Sequence, residues 1–66
     1  MDYDTYREYQ DMFEDIRREV SDSGYATSVV ERAKKQVRGI FRNMYATYGR
    51  DDDRVDALRR DMDWYL

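Results

Sequence analysis

The carboxylates are the first place to look for chemistry in this chain. Asp51, Asp52 and Asp53 stand consecutively and would suit a hard cation. They lack the loop glycine and the twelfth-position glutamate of a calcium-binding hand, so capping of a following helix is the better reading. Asp61 and Asp63 lie two apart on what reads as a helix and therefore face different ways, which denies them the shared site of an acid pair. The chain has no His and no Cys. This removes the commonest general base and metal ligand, together with thiolate nucleophiles and disulfide staples. No glycine-rich phosphate loop occurs. The expectation is a non-enzymatic protein with no catalytic, metal or cofactor residues, whose chemistry is recognition.

Charge is arranged in three blocks. Residues 1–22 carry eight acids against three bases, residues 23–50 one acid against six bases, and residues 51–66 six acids against three bases. A basic segment thus sits between two acidic ones, and the whole nets −3. In the middle block Arg32, Lys35, Arg38 and Arg42 follow helical steps of 3, 3 and 4, which makes one stripe. Glu31 has the i, i+4 spacing to meet Lys35, whereas Arg38 and Arg42 have no acid on their own helix. Counter-charge for the stripe has three possible sources: the acidic helices of the same chain or of a twin, a nucleic-acid backbone, or an acidic protein. In the first block Arg7–Asp11 and Glu14–Arg18 have pairing distance, as do Asp56–Arg60 and Arg59–Asp63 in the third. Each such surface pair contributes only tenths of a kcal/mol. Most acids of residues 1–15 and 51–53 are left without a partner.

Three helices must carry these groups. Tyr3, Tyr6, Tyr9, Phe13, Ile16 and Val20 recur at steps of 3 and 4, an amphipathic helix over about 3–21 ended by Ser21-Asp22-Ser23-Gly24. Val30, Ala33, Val37, Ile40 and Met44, widened by Phe41 and Tyr48, predict a second helix over about 28–48. It opens on a Ser28–Glu31 capping box and stops at Gly49. Val55, Leu58, Met62 and Tyr65 predict a third over about 53–65. The short connections favour antiparallel neighbours, and the fold class is all-α, a small three-helix bundle forming one domain over 1–66. Helices 1 and 3 of an up-down-up bundle run parallel, so the tyrosines of residues 3–9 and the Trp64-Tyr65-Leu66 cluster fall at opposite poles.

Stability is thin at this length. Val, Ile, Leu and Phe together number 11 of 66, while seven Tyr and one Trp supply further apolar area. The core should be aromatic-rich, with homodimerisation or a partner as a way of completing it. The acidic start, the lack of Cys and the absence of any long apolar run point to a cytoplasmic protein without a membrane span.

The stretch Gly24–Ala33 places Val30 and Ala33 at offsets used in helix-turn-helix units, with Thr27, Ser28, Arg32 and Lys35 towards a groove. Glu19 and Ser23 fall where that motif needs apolar residues, and Glu14, Asp15 and Glu19 would meet phosphates. The likeness to such units is confined to these ten residues. The expected function is docking on a protein partner, with a nucleic-acid-binding protein as one candidate, as a small regulator or inhibitor of the kind found among phage accessory proteins. The residues expected to carry it are Tyr3, Tyr6, Asp11, Glu14, Asp15, Asp51, Asp52 and Asp53. The alternatives are nucleic-acid binding through Arg32, Lys35, Arg38 and Arg42, and a self-associating structural module.

Overall fold

The computed structural model describes residues 1–66 and is a three-helix bundle. Helix α1 spans Tyr3–Asp22, α2 spans Thr27–Tyr48 and α3 spans Asp53–Asp61, followed by one 3-10 turn at Asp63–Tyr65. The 22 residues of α2 reach about 33 Å at ~1.5 Å each, which matches the 33 Å long dimension of the molecule.

Asp2 caps α1 by accepting a hydrogen bond from the Thr5 N–H at 2.8 Å, and Asp52 caps α3 by accepting from the Arg54 and Val55 N–H groups. The expected Ser28–Glu31 capping box does not form. Helix α2 starts one residue earlier, with Ala26 at the cap position and no side-chain cap. Ser23 secures this turn instead: its hydroxyl donates to the Val20 carbonyl at 2.7 Å and accepts from the Ala26 N–H at 3.3 Å. The end of α1 closes with paired bonds from Gly24 to Ser21 and from Tyr25 to Val20, the Schellman arrangement, with Gly24 at φ +67°. Tyr25 is also left-handed, at φ +61°, a backbone state unusual for a side chain of its size.

The third helix is shorter than the expected 53–65. It ends at Asp61, and the last carbonyls are met by tighter bonds, Tyr65 N–H to Met62 and Leu66 N–H to Asp63. Three residues per turn keep Met62 and Tyr65 on the same side, so Tyr65 is still buried.

Eleven residues are buried and all are hydrophobic. Phe13, Ile16 and Val20 come from α1, Ala33, Val37, Phe41 and Met44 from α2, and Val55, Leu58, Met62 and Tyr65 from the third segment. Phe41, which the periodicity placed beside the α2 stripe, is instead at its centre, and Val30 and Ile40 are half-buried. Phe13 and Phe41 stack at 5.2 Å and 7°, flanked by Tyr9 on Phe13 and Tyr45 on Phe41. This aromatic ladder ties α1 to α2.

Helices α1 and α3 run parallel. At one pole the Met1 ammonium meets Asp52 at 2.5 Å, and Arg54 donates to the Met1 carbonyl. At the other, Arg17 reaches the Met62 sulfur. No helix is long and apolar enough to cross a membrane.

Candidate functional site

The residues singled out from the sequence divide once the helices are in place. The tyrosines separate first. Tyr6 and Tyr9 pack on the core, while Tyr3 stays 57% exposed. The Tyr3 ring lies under the Arg54 guanidinium at 5.6 Å. Tyr3 and the Asp51–Asp53 corner therefore share one pole. Asp52 is engaged there by the Met1 ammonium and the first turn of α3, which leaves Asp51 and Asp53 as its exposed, unpaired carboxylates. Helix capping, the simpler reading of this triplet, is what Asp52 does.

Along the outer face of α1, Asp4, Glu8, Asp11 and Asp22 are exposed and make no ion pair. Glu14 and Asp15 both lie near Arg18, at 3.4 and 3.6 Å, and all three are largely solvated. The expected Arg7–Asp11 pair does not form, because Arg7 turns one residue short and donates to Gln10 at 3.5 Å. At 100° per residue, Asp4, Asp11, Asp15 and Asp22 fall within a narrow sector opposite Phe13 and Val20. This row of carboxylates runs about 27 Å at ~1.5 Å per residue. Asp11, Glu14 and Asp15 sit near its middle, about 12–18 Å along the axis from Tyr3.

The basic stripe is only partly neutralised. Arg32 meets Glu19 of α1 at 2.5 Å. Lys35, Arg38 and Arg42 have no ion pair, and the expected Glu31–Lys35 contact is absent. Gly39 lies among them, with nothing within 4 Å of where a Cβ would stand. Packing inside the chain therefore does not require a glycine there. Asp56 gathers both Arg59 and Arg60 at 2.8 Å, so the expected Arg59–Asp63 pair is replaced by an i, i+3 contact within α3. In the helix-turn-helix comparison Arg32, a groove-facing position, is held by Glu19 instead.

No family model, curated protein or solved structure matches this chain.

No three of its acidic side chains cluster as a metal site. The perturbed ionisations sit at helix ends. Hydrogen bonding from Thr5 holds the Asp2 carboxyl below its ordinary value of 3.8. The Met1 ammonium does the same for Asp52, and Arg59 for Asp56. Burial raises the Tyr65 phenol above its ordinary value of 10.0. A lowered carboxyl stabilises the fold above the unfolded value, near ~3.9, and that stability is lost as pH falls through the folded value. A raised phenol contributes fully below about pH 10 and loses its contribution as pH rises through the folded value. The thermal midpoint should therefore fall as pH drops below about 4 and again as it rises above about 10. Asp52→Asn should flatten the acid arm. A midpoint unchanged down to about pH 2 would show that these contacts do not bear on folding.

Proposed function

We propose that this chain is a recognition module that docks on a protein partner through the acidic outer face of α1. The observation that carries the reading is the row of exposed carboxylates on that face. Four of them, Asp4, Glu8, Asp11 and Asp22, have no internal cation. Solvation alone would keep such a face soluble. Its continuity over five turns of helix, with Tyr3 exposed at one end, also suits a basic groove or strip on another protein. Fields of opposite sign accelerate encounter and fix register, and an exposed tyrosine adds apolar contact where the charges cannot.

The partner chemistry follows from the surface: a protein presenting lysines and arginines in a line, such as one that otherwise holds nucleic acid. Occupying that line with carboxylates would block it, which is the action of a small inhibitor or regulator. Tyr3, Asp51 and Asp53 form the pole at which contact extends beyond α1. Tyr6 and Asp52 support that pole from inside, Tyr6 by packing on the core and Asp52 by holding α3 and Met1.

Reversing Asp11, Glu14 and Asp15 to lysine tests the reading. These side chains are solvent-exposed, so the far-UV helical signal should persist. Capture of the partner from nuclease-treated native lysate should fall about tenfold or more, equivalent to ~1.4 kcal/mol of binding. Undiminished capture by the triple variant would remove α1 as the docking surface.

A further inference from the structure

The side of the bundle away from α1 has a different character. On α2, Lys34 and Tyr45 lie on the edge towards the third segment, and Arg38 and Arg42 follow Lys34 at steps of four, moving round towards the outer face of the helix. Two aromatic rings on this side each carry a cation. Lys34 Nζ lies 4.9 Å from the Trp64 ring, and the Arg50 guanidinium lies 4.6 Å from Tyr45. Beyond Lys34, Tyr25 and Trp64 meet edge to face at 6.1 Å and 89°, and they are 61% and 56% exposed. With Thr27, Val30, Glu31 and Lys34 they line an open cleft of about 340 Å³. Tyr25 is presented there from a left-handed backbone position that favours glycine or asparagine.

We propose that this face binds single-stranded nucleic acid, with a base entering the cleft against Trp64 and Tyr25 and the backbone following Lys34, Arg38 and Arg42. The ring faces need an unstacked base, which a duplex does not offer. The cations stand four residues apart, a rise of about 6 Å. Arg38 and Arg42 have no internal counter-ion, so phosphates meet no competitor there. The acids of this side are few. Asp56 is engaged by Arg59 and Arg60, which leaves Glu31 and Asp63. A base adds stacking on the exposed Trp64 and Tyr25 rings to the phosphate contacts, whereas an acidic protein would need an apolar side chain as well to fill the same cleft. The site lies across the bundle from the α1 face and does not depend on what docks there.

Trp64 is the only tryptophan, so its emission reports the cleft directly. A short oligothymidylate titrated at low salt should quench it. The affinity should fall with salt at a log–log slope of about −2, as three phosphate contacts on a single strand require. Arg38→Glu combined with Arg42→Glu should flatten that slope. Trp64→Leu, followed with a labelled oligothymidylate, should weaken binding by about 5- to 150-fold at constant slope, the range of one base–ring stack. Tyr25→Asn relieves the backbone while deleting the ring, so its thermal midpoint should hold or rise while binding weakens. Three results would overturn the proposal: no binding at low salt, full binding by a folded Tyr25→Asn variant, or inorganic polyphosphate matching oligothymidylate with Trp64 emission unmoved in both.

Discussion

Phe41→Ala should leave the chain largely unfolded at 25 °C. The Phe41 ring is 1% exposed, stacks on Phe13 at 5.2 Å and supports Tyr45. Truncating a phenylalanine in such a position costs about 3–5 kcal/mol, because the transfer term is lost and the neighbours do not fully close the cavity. A single core in a domain of this size rarely supplies more than about 3–5 kcal/mol in total. There is no disulfide to limit the unfolded ensemble. Far-UV circular dichroism should show the helical signal collapsing, whereas Tyr3→Ala, at an exposed ring, should move stability by no more than about 0.5 kcal/mol. A cooperative melt with full helicity in Phe41→Ala would mean that the Phe13–Phe41 stack is not the centre of the fold.

Leu58→Ala should have the next largest effect, and for a different reason. At nine residues, α3 is shorter than the ~12–15 needed for marginal helicity in isolation. It persists because Val55, Leu58, Met62 and Tyr65 are buried against the other two helices. Leu58 is fully buried, and its truncation costs about 2–5 kcal/mol. Those four side chains also cover the α1–α2 ladder, so losing α3 exposes the remaining core and the three helices should melt together. Trp64 emission and far-UV ellipticity should then follow one transition at a lower temperature. A Trp64 transition that preceded the main loss of far-UV ellipticity would show α3 detaching alone, and the bundle would not be one cooperative unit.

Much of this architecture was legible in the periodicity. The steps of 3 and 4 placed Phe13, Ile16, Val20, Val37, Met44, Val55, Leu58, Met62 and Tyr65 on inward faces, and each is buried. Burial follows from where a residue falls around a helix, which the order of residues determines. What escaped was set by distance across the bundle. The Met1 ammonium finds Asp52 from the far end of the chain, and Arg32 finds Glu19 on another helix, the only acid of its own helix being the adjacent Glu31. Spacing along one helix also offers each long side chain more than one partner: Arg7 takes Gln10 and Arg59 takes Asp56 on their own helices, and Lys35 pairs with no acid. The tight final turn had no sequence marker either, because neither Gly nor Pro interrupts Arg60–Tyr65.

Among the proposed interaction surfaces, the α1 acids were visible as a charge block, and the structure adds which of them lack internal partners. The Tyr25–Trp64 cleft was hidden for two reasons. Its rings are far apart in the chain, and Tyr25 reaches its position through a left-handed residue that ordinary propensities disfavour. The surplus of base on α2 and of acid on α1 gives the molecule two sides of opposite sign.

The docking role of α1 is tested most directly by carboxyl footprinting, in which exposed acids are coupled to an amine by a carbodiimide and read by mass spectrometry, free and in the captured complex. Asp4, Glu8, Asp11 and Asp15 should lose reactivity in the complex, while Glu31 and Asp63, on the side away from α1, should label as before. Equal labelling of the α1 acids in both states, with any protection confined to the third segment, would contradict the account.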